Sequence, residues 1–176
     1  MDFQKALATI AAHIEENDRR YALVGALALA AYGHPRATLD LDLVVELESQ
    51  DEIIAFMDSL GFETLYQSAG YSNHLHRDAS IGRVDFVYIK GETSKKLFSA
   101  ATRVPGPGGL MVPVPKPEHL AAMKVLAMKN DPTRTFQDLA DIRILLKLPG
   151  VDREEIRHYF EKHGLRERFD DLERSL

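Results

Sequence analysis

The stretch from residue 21 to residue 46, YALVGALALAAYGHPRATLDLDLVVE, decides the fold of this chain. It opens with apolar residues 21–24, which predict a short buried strand that turns at Gly25. Residues 26–32 are nearly all alanine and leucine, and these strong helix formers predict a helix that lies close to a sheet. Leucine and aspartate alternate from residue 39 onward, which predicts a second strand with one apolar face and one carboxylate face.

Asp40 and Asp42 are two residues apart on the second strand, so both carboxylates leave the same face with Cα atoms about 6–7 Å apart. Leu39, Leu41 and Leu43 then point the other way, into the core. Two carboxylates this close repel each other unless a cation lies between them, and a divalent cation is the usual partner. The alternative is an edge strand that keeps its acidic residues outward for solubility.

A third carboxylate, Asp85, lies inside a predicted strand over residues 83–90, where a buried charge is costly unless it is paired or metal-bound. Two partners stay open: a metal ion shared with Asp40 and Asp42, or a salt bridge with Arg83 on the same strand face. The sequence has no cysteine, so any metal ligands are oxygen or imidazole. Carboxylate oxygens favour hard cations such as Mg²⁺.

Gly25 stands where the first strand passes into the helix. The backbone N–H groups of Ala26 and Leu27 then point above the turn, where the helix dipole favours an anion such as a triphosphate. The alternative is a glycine that only lets helix and strand pack closely, and the residues alone leave both open.

Apolar periodicity predicts the remaining elements of the chain. An amphipathic helix with Asp2 as N-cap ends near Asn17, and a capping box of Ser49 and Glu52 starts a helix that reaches residue 60. The other predicted elements are strands at 62–67 and 74–77, separated by a Gly-Tyr-Ser-Asn turn, and helices at 94–101, 117–129, 133–148, 152–162 and from 165.

Residues 104–117, VPGPGGLMVPVPKP, are too rich in proline and glycine for a helix or a central strand. They predict a connector with one edge strand around residues 110–112. The connector separates a mixed α+β core over residues 1–103 from a helical part over residues 118–176.

Lys124 borders the apolar stripe of the predicted helix at 117–129, where a lysine needs a partner. Asp138 and Asp141 are three residues apart on one face of the next helix, so they pair with Lys124 or with a substrate. His74 and His76 share a strand face, and we expect a partly exposed pair rather than a metal site. The final charged helix is expected on the surface or at a dimer contact.

The N-terminus lacks the basic start and apolar run of a signal peptide, and no segment approaches a membrane span. A cytoplasmic protein without a membrane partner is therefore expected. The formal net charge of −5 argues against broad, sequence-independent binding of nucleic acids.

Val24-Gly25, followed by Arg36-x-Thr38-x-Asp40-x-Asp42 and a later strand aspartate, resembles the polymerase-beta-like nucleotidyltransferase superfamily. Two segments of the helical part are similar to the AbiEii-type branch, whose minimal bacterial enzymes include toxins of toxin–antitoxin pairs. These segments run from Lys116 to Ala127, including Lys124, and from Gln137 to Ile142, including Asp141.

The resemblance implies a nucleotidyltransferase-like mixed sheet with flanking helices. It also implies an enzyme that moves a nucleoside monophosphate from an NTP to a hydroxyl of RNA or protein, with an antitoxin as a further partner. It implies Mg²⁺ or Mn²⁺ at Asp40, Asp42 and Asp85, the last also orienting or deprotonating the attacking hydroxyl. It further implies nucleotide-binding residues at the triphosphate turn (Gly25 and Ala26) and before the carboxylates (Arg36 and Thr38). On the helices it implies Lys124 and Asp141.

One departure separates this chain from that pattern: the second residue of the family's Gly-Ser or Gly-Gly pair is here Ala26. A hydroxyl that commonly contacts phosphate is thereby lost, although the backbone N–H remains. The alternative to the enzyme is therefore a catalytically silent relative that binds nucleotides or a protein partner.

Overall fold

The computed structural model of the protein describes residues 3–78 and 80–176. By their contacts these fall into two compact units, Met1–Pro115 and Lys116–Leu176, and the division lies inside the 104–117 segment. Asp2, expected to cap the first helix, lies outside the described residues.

The first unit alternates helices and strands along the chain. Its elements are α1 (Phe3–Glu16), β1 (Tyr21–Leu23), α2 (Gly25–Ala31), β2 (Asp40–Glu46), α3 (Gln50–Ser59), β3 (Phe62–Ser68), β4 (Tyr71–His76), β5 (Arg83–Ile89), α4 (Gly91–Ser99), β6 (Thr102–Pro105) and β7 (Met111–Val114).

Five of the strands form one sheet in the order β1-β2-β5-β4-β3. β2 and β5 are parallel, and the other neighbours are antiparallel, which confirms the predicted mixed sheet. Leu41 and Leu43 of β2 and Val84 and Phe86 of β5 are fully buried, so the apolar face of the alternating pattern builds the core.

The prediction that Leu39 points into the core was wrong. Leu39 is 88% exposed, and β2 begins one residue later. The first pair between β2 and β5 joins Asp40 to Arg83, so Leu39 precedes the ladder and alternation places no constraint on it.

The capping box of Ser49 and Glu52 was also a wrong prediction. Residues Leu47–Ser49 form a 3₁₀ turn that runs directly into α3. Ser49 therefore has a near-helical backbone (φ −91°, ψ −3°) instead of the extended conformation of a capping residue, and its side chain makes no cap hydrogen bond. Glu52 is held elsewhere, with its Oε1 atom 3.3 Å from Nε2 of His13.

The strand predicted at residues 74–77 starts earlier, so Tyr71, Ser72 and Asn73 of the predicted turn belong to β4. His74 is fully buried, which contradicts the expected partly exposed pair. Its Nδ1 atom lies 3.0 Å from the hydroxyl of Thr64, and its Nε2 atom lies 2.8 Å from that of Ser72. Burial lowers the pKa of His74 to about 4, because it disfavours the charged imidazolium.

β6 and β7 pair antiparallel as a separate two-stranded sheet, with Val104 opposite Val112. This confirms the strand expected around residues 110–112 and adds its partner. Both strands are edges, which is why Pro105 and Pro113 are tolerated within them.

The second unit is helical, as predicted. Its elements are α5 (Pro117–Asn130), α6 (Thr135–Leu145), α7 (Arg153–Lys162) and α8 (Arg166–Arg174). α5 packs against α6 and α7, and the ring of Phe169 lies 5.4 Å from that of Phe160. Because Phe169 and Leu172 are buried, the last helix contributes to the core of this unit as well as to its surface.

Candidate active site

Asp40, Asp42 and Asp85 meet on one face of the sheet in the first unit. One carboxylate oxygen from each lies within 4.8 Å of the others. The parallel register of β2 and β5 produces this cluster, because it places Asp42 beside Asp85 on neighbouring strands. The group is called the carboxylate triad below.

The surroundings of the triad argue against acidic residues kept outward for solubility. β5 pairs with β2 from Asp40 to Glu46, while on the other side the β1 ladder covers residues 43–45 and the Val24 N–H extends it to the carbonyl of Asp42. Asp40 and Asp42 are half-buried, and Asp85 is 6% exposed. Three carboxylates gathered this closely, one of them buried, need positive charge close to them.

Gly25 is required where it stands because the chain comes very close to the triad. Its φ of 63° lies in the left-handed region, and a Cβ atom added to it would overlap Oδ2 of Asp42. The backbone N–H of Val24 also donates to the carbonyl of Asp42, at 3.0 Å. Gly25 therefore packs α2 closely against β2 and brings the first turn of α2 beside a carboxylate of the triad, and its part in binding a triphosphate stays a prediction.

Of the other residues implied in the nucleotide site, Thr38 contacts the triad directly. The Thr38 hydroxyl donates to Oδ1 of Asp40, which fixes the orientation of that carboxylate. Arg36 is exposed and donates to the carbonyl of Ala37 at 3.5 Å. Ala26 is 2% exposed, so its methyl group packs in the interior beside the turn.

Asp85 has the Arg83 salt bridge as well as its place in the triad. Nε of Arg83 lies 2.6 Å from Oδ1 and Nη2 lies 2.8 Å from Oδ2, which is a two-pronged contact. The Tyr71 hydroxyl donates to Oδ2 at 2.6 Å, and Nη2 of Arg83 donates to that hydroxyl at 3.0 Å. Burial, and then the hydrogen bond to Asp85, raises the pKa of Tyr71 to about 12. Tyr71 therefore stays a neutral donor.

Tyr71 and Asn73 lie beside Asp85, although the sequence pattern predicted both in a turn. Asn73 stands directly opposite Asp85 across β4 and β5. Its Oδ1 atom is buried and has no hydrogen-bond partner among the described residues. Had the strand been started at residue 71, the alternation of β4 would have placed both residues on one strand face, and the register with β5 brings that face beside Asp85.

Lys124 lies in the second unit, where its predicted pairing is present. Its Nζ atom is 2.5 Å from Oδ2 of Asp141 and 3.4 Å from Oδ1 of Asp138, and both aspartates are 1% exposed. Arg134 contacts the other oxygen of Asp138 at 3.3 Å, and Gln137 donates to Asp141 at 3.0 Å. The two buried carboxylates are thus contacted by the side chains of Lys124, Arg134 and Gln137.

A groove of about 490 Å³ lies along α3 and β3 in the first unit. It is lined by Asp51, Ile54, Ala55, Asp58, Glu63, Thr64, Gln67 and Arg77. No member of the carboxylate triad lines it, so the acidic cluster and this groove are separate features.

A family model described as the nucleotidyl transferase AbiEii toxin of type IV toxin–antitoxin systems matches residues 6–175. The chain belongs to the AbiEii nucleotidyltransferase family. The matched range spans both units, so the helical part belongs to the family pattern together with the sheet that carries the triad. The family match confirms the resemblance seen in the sequence and supports an NTP-using transferase activity.

Solved structures share the fold at low sequence identity. The antibiotic-resistance factor ANT(2″)-Ia has a TM-score of 0.69 at 16% identity, over 99% of this chain and 98% of its own. An antigenic nucleotidyltransferase-like protein from Paracoccidioides brasiliensis gives 0.57 at 17%, over 96% and 92%. The lincosamide antibiotic adenylyltransferase LnuA gives 0.54 at 16%, over 81% and 96%. These likenesses establish the nucleotidyltransferase fold.

A search of curated proteins gave no match to this sequence. Within residues 3–78 and 80–176, every helix is too short or too polar to cross a membrane.

Proposed function

We propose that the protein transfers a nucleoside monophosphate from an NTP to a hydroxyl acceptor and releases pyrophosphate, with divalent cations at the carboxylate triad. The observation that carries this proposal is the convergence of Asp40, Asp42 and Asp85 within 4.8 Å on neighbouring strands of an AbiEii-family fold.

The triad fits a hard divalent cation, Mg²⁺ or Mn²⁺. Its donors are carboxylate oxygens from three residues, and Thr38 orients one of them through a hydrogen bond. Bound as a pair, such cations stabilise the negative charge on the attacking and leaving oxygens of a phosphoryl group.

The chain's own groups position the reactants. Asp40 and Asp42 hold cations, and Asp85 contributes a ligand oxygen and orients or deprotonates the acceptor hydroxyl. Arg36 lies four residues before the first of these acids, and its guanidinium is proposed to contact the phosphates. Catalysis of this kind rests mainly on alignment and charge stabilisation.

The turn at Gly25 is proposed to bind the triphosphate through backbone N–H groups. The first N–H groups of a helix have no acceptor within the helix, and those at the start of α2 lie beside Asp42. Because the Ala26 side chain is buried, Ala26 would contact the triphosphate through its backbone N–H, and a serine at this position would offer the same N–H. This favours the enzyme over the silent relative.

Lys124 and Asp141 are proposed as the helical part's contribution to nucleotide binding, with Asp141 holding Lys124 in place. The 2.5 Å contact between them supports the holding role. The alternative is a purely internal ion pair, which predicts that NTP affinity survives when both charges are removed from a stable protein.

RNA or protein is proposed as the acceptor, in the cytoplasm, with an antitoxin as the regulating partner, as the family's toxin description suggests. The fold shared with ANT(2″)-Ia, which was solved in complex with adenylyl-2″-tobramycin, is the reason to include aminoglycosides among the acceptors tested.

The test is transfer of label from each α-³²P-labelled NTP, with Mg²⁺ or Mn²⁺, to cellular RNA, cellular protein or an aminoglycoside. The wild type is compared with the Asp40→Asn/Asp42→Asn double variant and with Asp85→Asn. Asp58→Asn, at an exposed position of α3, is the matched control.

We expect transfer by the wild type and Asp58→Asn, and at least about a hundredfold less by the triad variants. Equal transfer by the triad variants would refute the assignment. NTP binding by the wild type without transfer to any acceptor would favour the silent relative.

A further inference from the structure

Arg83 stands among the acids of the triad and is not one of its proposed ligands. Its Cα atom pairs with that of Asp40 across β2 and β5, and it precedes Asp85 by two residues on the same strand face. Two of the three carboxylates are therefore its immediate neighbours.

The contact with Asp85 uses both carboxylate oxygens. Nε of Arg83 donates to Oδ1 at 2.6 Å, and Nη2 donates to Oδ2 at 2.8 Å. A cation liganded by Asp85 would share that carboxylate with the guanidinium, and two positive groups a few ångströms apart repel each other. Arg83 thus opposes the binding of a cation to which Asp85 contributes.

Tyr71 supports Asp85 without adding charge. Its hydroxyl donates to Oδ2 at 2.6 Å, and it also accepts a hydrogen bond from Nη2 of Arg83 at 3.0 Å. The Arg83 side chain is 40% exposed, whereas that of Asp85 is 8% exposed. The guanidinium can therefore turn towards water while Tyr71 keeps the carboxylate oriented.

We propose that Arg83 and Tyr71 are positioning residues for Asp85 that differ in their effect on cations: Arg83 weakens divalent cation binding at the triad through its charge, whereas Tyr71 leaves it nearly unchanged. The inference rests on the proposed cation role of the triad. It adds that cation affinity is set by an arginine outside the ligand set.

The test is the dissociation constant of Mn²⁺, without nucleotide, measured by titration calorimetry and by the electron paramagnetic resonance signal of free Mn²⁺. Three variants separate charge from hydrogen bonding. Arg83→Gln removes the charge, Arg83→Lys keeps the charge and loses the two-pronged contact, and Tyr71→Phe removes only the hydroxyl. Circular dichroism and thermal unfolding without Mn²⁺ establish that each variant is folded.

We expect Arg83→Gln to bind Mn²⁺ about tenfold more tightly than the wild type, and Arg83→Lys and Tyr71→Phe to stay within about threefold. The thermal midpoint of Arg83→Gln should also rise more on addition of Mn²⁺ than that of the wild type. Rescue of the wild-type affinity by lysine is a result that a merely structural role of Arg83 would not give.

Unchanged or weaker Mn²⁺ binding by folded Arg83→Gln would overturn the proposal. It would also be overturned if Arg83→Lys bound Mn²⁺ as tightly as Arg83→Gln. Absence of Mn²⁺ binding in all four proteins would overturn it together with the cation role of the triad. Because the readout needs neither NTP nor acceptor, failure of nucleotide transfer alone leaves a positive result intact.

Discussion

Gly25 and Gly33 flank α2, and both have positive φ values, 63° and 86°. An alanine at either position costs about 1–2 kcal/mol of left-handed backbone strain. A Cβ atom at Gly25 would also overlap Oδ2 of Asp42, whereas at Gly33 it meets nothing within 4 Å. We therefore predict that Gly25→Ala lowers transfer activity at least about a hundredfold, because it displaces a triad carboxylate.

Gly33→Ala is the matched control, since it carries the same backbone strain without the overlap. It should lose stability and keep its activity and its Mn²⁺ affinity, both measured on folded protein below the unfolding transition. Equal activity of the two alanine variants would show that Asp42 tolerates displacement.

Asn73 carries a buried Oδ1 atom without a hydrogen-bond partner among the described residues, opposite Asp85. Such an atom costs about 1–3 kcal/mol, so the near-isosteric Asn73→Leu should raise the free energy of unfolding by about 1 kcal/mol. If this oxygen receives a hydrogen bond from the acceptor, the same variant should lose about tenfold in kcat/KM. Urea unfolding and steady-state transfer measure the two effects.

Gln67→Leu, an exposed substitution on the neighbouring β3, should change neither quantity appreciably. A more stable Asn73→Leu with unchanged kcat/KM would remove Asn73 from the active site.

At the scale of elements, Lys124 of α5 joins two carboxylates of α6, Asp138 and Asp141. Removing the lysine leaves Asp141 buried without its closest cation. Lys124→Met should therefore lower the free energy of unfolding by about 3–5 kcal/mol in a urea titration. Lys129→Met, which removes a surface contact to the carbonyl of His163, should cost less than about 1 kcal/mol.

The double variant Lys124→Met/Asp141→Leu tests the pairing directly, because it removes both charges together. It should recover much of the stability that the single variant loses. A Lys124→Met protein of wild-type stability would mean that this lysine is not holding α5 to α6. Lost NTP affinity in the stable double variant would assign Lys124 to the nucleotide.

At the scale of the whole molecule, stability should depend on pH through His74. Its pKa in the folded protein, about 4, lies below the ordinary value of 6.5, so the unfolded chain takes up the proton first as pH falls. The stabilisation is complete above about pH 6.5 and is lost as pH falls towards 4, by up to about 3 kcal/mol. Urea unfolding at pH 7, 5.5 and 4.5 measures this loss.

His74→Gln should show a smaller loss of stability over that range, because glutamine does not titrate. His34→Gln, at an exposed position, should follow the wild type. Superimposable pH profiles for the wild type and His74→Gln would assign the acid sensitivity to other groups.

The order and type of most elements followed from local pattern. Alternation placed Leu41 and Leu43 in the core and put Asp85 on a strand, and these rules need only neighbouring residues. Ser49 and His74 did not follow these rules, for two different reasons. Ser49 is part of a 3₁₀ turn that runs into α3, so it does not cap the helix. His74 can be buried because hydroxyl groups from β3 and β4 lie within hydrogen-bond distance of its two ring nitrogens.

For the candidate site, the sequence predicted which acidic residues take part but not how they come together. The three acids could be named from the sequence, but their convergence depends on the register of β2 against β5. Tyr71 and Asn73 join the site only through the pairing of β4 with β5, which sequence spacing does not contain.

The parallel pairing of β2 with β5 has a consequence for synthesis of the chain. β2 leaves the ribosome first, and α3, β3 and β4 must follow before β5 can dock beside it. Such distant pairings form late, whereas the antiparallel neighbours β3, β4 and β5 can associate locally. A nascent chain that ends before β5 thus carries two of the three acids and no complete site. For a protein of a toxin family, activity would begin only once translation has passed Asp85.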